Sequence, residues 1–178
     1  MAIDRYTRDY RLKDSLDERG RIHTEMEYIG KDYVFASGLE SARDAGKRLA
    51  LLCGFSWLAF FAALSMPSTA GHTLYALLPC IFLAIPLWLL STVAFTALRV
   101  KEPFAHREAD RFILRLPAAA TFTMVLSLAA VLCGAGCLVF GKNAALPGDW
   151  VFLAGNLVCF VCAILGKKLT VRLTARSQ

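Results

Sequence analysis

Four apolar runs free of Asp, Glu, Lys and Arg constrain this chain more than anything else in it: Leu49–Met66, Leu74–Leu98, Pro117–Phe140 and Trp150–Gly166. They hold 18, 25, 24 and 17 residues. As helices they reach roughly 25 to 38 Å, against about 30 Å of hydrocarbon in a bilayer. A helix in a soluble core keeps a polar face, and these runs keep none. Apolar and polar residues do not alternate within them, as the strands of a membrane β-barrel require. The expected fold class is therefore an all-α integral membrane protein with four transmembrane helices. The composition agrees: 57% of the 178 residues are apolar, 19% are charged, and the mean hydropathy is +0.51. The first run begins at residue 49, too late for a cleaved signal peptide, so the first helix is expected to serve as its own uncleaved anchor.

Basic residues give the orientation. Ten Lys and Arg fall in residues 1–48, five in 99–116 and four after 166, whereas Lys142 is the single one in the two remaining loops. That is 19 against 1, and short loops rich in Lys and Arg stay in the cytoplasm. Both termini and the 99–116 loop are expected there. The formal net charge of +6 is then a topology signal rather than a sign of nucleic-acid binding. All six cysteines lie inside the apolar runs, so no secreted disulfide framework is indicated, and a bacterial cytoplasmic membrane fits.

The chain divides into a cytoplasmic N-terminal cap over 1–36 and a four-helix membrane domain over 37–178. In the cap, Ile22, Thr24, Met26 and Tyr28 alternate with polar residues between Gly20 and Gly30, and Tyr33-Val34-Phe35 follows, a pattern that predicts two or three short strands. So small a β unit is marginal alone in water and has to lean on something. Ser37-x-x-Glu40 has the spacing of a capping box, and Asp44 with Arg48 that of an i,i+4 pair, so the first helix is expected to start near residue 38. Between the second and third spans, Pro103 can open an interfacial amphipathic helix. Ala105, Ala109, Phe112, Ile113 and Leu116 would form one stripe, and Arg107, Arg111 and Arg115 a second, which makes those arginines candidate contacts for lipid headgroups or an acidic partner. Pro79 and Pro86 each remove a backbone hydrogen bond and predict a kinked second helix.

Candidate chemistry is sparse. Ala130-x-x-x-Gly134, with Gly136 and Cys137 beside it, reads as a packing seam, and Asn156 as a polar group bonding across the bundle. Cys159-x-x-Cys162 has a redox spacing of the kind seen in membrane thiol oxidoreductases. Its depth in hydrocarbon disfavours a reactive thiolate, so two packed cysteines are the simpler reading. His106 and Asp110 stand at i,i+4 without further ligands nearby in sequence, and no metal or cofactor is expected. No ionisable side chain lies within a span, where transporters and pumps usually place one despite its cost. No Ser/His/Asp set, paired buried carboxylates or phosphate-cradling loop supports an enzyme. The expectation is a non-catalytic accessory, regulatory or assembly subunit that works through its cytoplasmic face, with the bilayer and a protein partner or a second copy as contacts. A small oligomeric exporter or channel for a neutral or apolar solute is the alternative, and a thiol oxidoreductase using Cys159 and Cys162 is a third.

Overall fold

A computed structural model of the chain describes residues 10–16, 22–30, 32–140 and 146–177. Residues 1–9, 17–21 and Lys31 of the expected cap, and the loop holding Lys142, lie outside the described residues. Strands β1 (Tyr10–Leu16) and β2 (Ile22–Tyr28) pair antiparallel, with Tyr10 opposite Tyr28 and Leu16 opposite Ile22. Strand β3 (Tyr33–Phe35) does not extend this hairpin. It pairs antiparallel with β4 (Ala175–Ser177) at the far end of the chain.

The first long helix, α1, spans Leu39–Ser65. Its expected capping box is absent: Gly38 is the N-cap, with φ at 80°, and the Ser37 hydroxyl donates instead to the Arg172 carbonyl. The left-handed φ is one that only glycine adopts without strain, and it turns the chain from β3 into the helix. Asp44 pairs at i,i+3 with Lys47, at 3.2 Å, rather than at i,i+4 with Arg48.

The second apolar run forms two helices, α2 (Leu74–Phe82) and α3 (Ala84–Arg99), broken at Leu83. Pro86 accounts for the position of the break, because its ring crowds the carbonyl four residues back and it has no N–H to donate there. Pro79 lies inside α2.

The expected interfacial helix takes a different form. Helix α4 (His106–Asp110) starts after Pro103, not at it, and a wide π turn over Arg111–Arg115 carries it without interruption into α5 (Leu116–Phe140). Helix α6 spans Pro147–Thr170, and a single 3₁₀ turn, Val171–Leu173, leads to β4. Pro147 sits at the first helical position, where its missing N–H costs nothing.

Among the described residues, four helices, counted through their short extensions, are long and apolar enough to cross a membrane: Leu39–Ser65, Leu74–Arg99, Glu108–Phe140 and Pro147–Leu173. They close a ring. α1 packs on α6, α6 on α5, α5 on both α2 and α3, and α3 returns to α1. Leu51, Phe55, Leu58, Phe61, Trp88 and Phe122 point outward and are each at least 60% exposed. That inside-out display of large apolar side chains suits a hydrocarbon surround.

Two buried clusters fill the ring. One, at the terminal end where β3 and β4 lie, gathers Phe35, Leu49, Leu90, Phe104, Phe112, Leu116 and Leu173. The other, toward the opposite end, gathers Phe60, Leu83, Leu87, Phe152, Cys80 and Cys159.

Candidate functional surface at the end bearing the termini

Three segments distant in sequence meet over the first cluster. Tyr33 exchanges both backbone hydrogen bonds with Phe104, at 3.1 and 3.0 Å. The Ala36 amide donates to the Thr174 carbonyl at 2.9 Å, and the Phe35 amide donates to Oε1 of Glu102 at 2.7 Å. Beneath them the rings of Phe35, Phe104 and Phe112 pack at centroid distances of 4.9, 5.1 and 6.0 Å. Such tilted and edge-to-face pairs contribute about 0.5–1.5 kcal/mol each beyond the area they bury. The β3 segment, the 102–112 segment and the C-terminal segment thus share one apolar floor. Around it Arg43, Lys47, Arg48, Lys101, Arg115, Lys167, Lys168, Arg172 and Arg176 are exposed, against Asp32, Glu40 and Asp44 among the exposed acidic residues of this end.

Within the expected arginine stripe, Arg111 and Arg115 part company. Arg111 is half-buried, and its guanidinium donates to Oγ1 of Thr96 on α3 at 3.0 Å, whereas Arg115 is exposed. The π turn is the cause, since an i→i+5 turn rotates successive residues off the 3.6-residue repeat on which the stripe was built. The side chain of Arg107 lies outside the described residues. Of the expected apolar stripe, Ala109, Phe112 and Leu116 are buried while Ile113 is exposed. His106 stacks on Tyr33 at 5.5 Å and lies 3.6 Å from Asp110, so it joins β3 to α4.

Inside the ring, several polar side chains turn to their own helices. Ser56, Thr123 and Ser127 donate to carbonyls four residues back, and so does Asn156, whose Nδ2 lies 2.9 Å from the Phe152 carbonyl. The Asn156 amide is held by α6 itself and also meets the Cys80 thiol of α2 across the bundle. Trp57 does cross, its indole N–H donating to Oγ of Ser91 at 3.1 Å. Cys159 is fully buried, with Sγ 3.4 Å from the Ser56 carbonyl, and Cys162 is half-buried. No cluster of three or more metal-ligating side chains occurs among the described residues.

The small-residue positions separate as well. Gly134 faces Phe152 and Leu153 of α6, but nothing lies within 4 Å of where a side chain at Gly136 would begin. Two close approaches of α6 were not anticipated: a Cβ on Gly155 would stand 2.6 Å from the Ala59 carbonyl of α1, and one on Gly148 would collide with the Pro67 carbonyl just beyond α1. Gly155-x-x-x-Cys159-x-x-x-Ala163 carries the small-residue spacing that marks such a seam.

At the end away from the termini, Asp149 is buried at 2% exposure and accepts four hydrogen bonds, from the amides of Thr69, Ala70 and Leu146 and the Thr69 hydroxyl. An Asp two residues after Pro147, at the third helical position, was the signal that could have revealed it.

A ring of four bilayer-length helices with an apolar outer face defines a helical membrane protein. Comparison with protein-family models, with curated sequences and with solved structures returns no match, so the function is argued from this geometry alone.

Proposed function

We propose that this protein is a non-catalytic integral membrane subunit with an accessory, regulatory or assembly role, working through a cytoplasmic face. The observation that carries the reading is the cap: Tyr33–Phe35, Phe104 with Glu102, and Ala175–Ser177 are joined into one ordered, cation-rimmed surface. Inside the bundle the side chains of Ser56, Thr123, Ser127 and Asn156 meanwhile donate to carbonyls of their own helices. An ordered surface outside the bilayer is where a partner would find specificity, and exposed Lys and Arg favour an acidic one. The distribution of basic residues, 19 against 1, supports placing this end and both termini in the cytoplasm, in a bacterial cytoplasmic membrane.

Purification from its native membrane in mild detergent, through a tag on the C-terminus, tests the reading. A stoichiometric protein partner is expected by mass spectrometry, with recovery falling sharply in the double variant Arg172→Glu/Arg176→Glu. A chain that crosslinks only to itself counts against it.

A small exporter or channel for a neutral solute is the second reading. It draws support from the break at Leu83 beside Pro86, which interrupts a bilayer-length helix. It requires solute flux in liposomes that changes in Asn156→Ala or Pro86→Ala, and equal flux in empty liposomes removes it.

A further inference from the structure

The broken second span and the third span leave a groove of about 540 Å³ between them, open on the outer surface of the ring. Its walls are Phe82, Ile85 and Leu89 on one side and Leu114 and Phe122 on the other, each partly or largely exposed. Its floor is formed by the buried Pro86 and Ala119, whose compact side chains leave space between the larger walls. Arg115 stands at the end nearest the termini and is the only ionisable residue lining it. From Arg115 to Leu126, at the far end of the lining on α5, the groove follows eleven residues of helix, or about 16 Å. One leaflet of a bilayer has about 15 Å of hydrocarbon.

We propose that this groove is a binding site for an anionic phospholipid of the leaflet at the terminal end, with one acyl chain between the aromatic walls and the headgroup phosphate on Arg115. Length and polarity match along the whole site: apolar through one leaflet's depth, cationic where the headgroup begins. A guanidinium is planar and presents paired donors, the geometry that phosphate oxygens accept. Among the described residues Arg115 makes no ion pair, and its neighbour Arg111 is already held by Thr96.

The same molecule provides two contrasts. A groove of about 570 Å³ on α1 also ends in a cation, Lys47, but that ammonium is 3.2 Å from the carboxylate of Asp44. A groove of about 520 Å³ along the other side of α5, between Ile113 and Val125, has no ionisable lining residue. Of these three grooves, the one at Arg115 joins an apolar leaflet-length channel to a cation that has no carboxylate partner among the described residues. The assignment rests on the helices spanning a bilayer and is independent of which face is cytoplasmic.

Native mass spectrometry of the purified full chain, with phosphatidylglycerol or phosphatidylcholine carrying identical acyl chains at equal concentration, tests it. The chain is expected to retain one phosphatidylglycerol with about fivefold preference, the factor that corresponds to about 1 kcal/mol of attraction per headgroup-facing Arg. Arg115→Gln, an exposed position where folding is not at stake, should bring the two lipids to parity, while Lys47→Gln leaves the preference intact. Ala118→Leu, which narrows the groove from its exposed rim, should lower retention of both lipids severalfold. Equal retention by the unsubstituted chain, or a preference that survives Arg115→Gln, overturns the proposal. So does a Phe122→Cys variant whose cysteine crosslinks to a second copy at high yield, because a protein helix would then occupy the site.

Discussion

Oδ1 of Asp149, at the start of the fourth span, lies 2.6 Å from the backbone nitrogen of Thr69, eighty residues earlier in the chain. The bond closes the bundle at the end away from the termini as the β3–β4 pairing closes it at the other. A carboxylate that is 2% exposed is costly to bury unless its oxygens are satisfied, and here three backbone amides and a hydroxyl satisfy them. A side chain outside the apolar runs therefore clamps the turn between the first two spans to the start of the fourth.

Removing that clamp should be expensive. Asp149→Ala leaves amides of the 69–70 turn and of Leu146 without their acceptor, and the loss of charge-assisted bonds predicts about 3 kcal/mol of destabilisation. Asp149→Asn keeps one acceptor oxygen and should cost about half as much. Unfolding by sodium dodecyl sulfate titration in mixed micelles gives both values, and a loss below about 0.5 kcal/mol for Asp149→Ala would show that the clamp contributes little to stability.

The glycines should rank by what faces them. Gly155→Ala sets a methyl against a backbone carbonyl that cannot move without shifting α1, and should cost about 2 kcal/mol. At Gly134 the neighbours are side chains of Phe152 and Leu153, 3.1 Å away, which can adjust, so the cost of the same change should stay below about 1 kcal/mol. Gly136→Ala meets nothing and should be neutral or gain up to about 0.5 kcal/mol in helix propensity. The same titration measures the series, and a reversed order refutes the assignment of the α1–α6 seam.

The cap should loosen locally when Glu102 is changed. Glu102→Ala deprives the buried Phe35 segment of the acceptor for its amide, and amide exchange across residues 33–36 should quicken about tenfold, equivalent to about 1.4 kcal/mol. Exchange within α5 and α6 should not change. Unaltered exchange at 33–36 would mean that the β3–β4 and Phe104 pairings hold the cap by themselves.

Topology follows from charge and is checked by fusion. Green fluorescent protein joined after Gln178 should fluoresce, and alkaline phosphatase at the same point should be inactive, if the C-terminus faces the cytoplasm. The opposite pair of results would invert the orientation and move the cap outside.

Much of the architecture was legible because hydropathy is a property of the residues themselves, added along the chain. A helix that must bury every backbone amide in hydrocarbon has to be long and charge-free, and each run announces this without reference to any other. Sequence also indicated the strand at Ile22–Tyr28, through its alternation, and a disruption in the second span, through Pro86. Partnerships were not legible in the same way. Ser37 read as a helix cap by local spacing, but its hydroxyl is taken by Arg172, 135 residues on. Arg111 and Arg115 read as one stripe until a π turn, whose own Phe112 packs against Phe35 and Phe104, rotated them apart. Asp149 falls just outside the fourth apolar run, and two of its hydrogen-bond partners come from a turn about eighty positions away. The sequence alone determined how many times the chain can cross a bilayer and where its charges gather. Only the tertiary structure decided which amides, rings and carboxylates meet, because those contacts depend on the distances between helices, which no local pattern encodes.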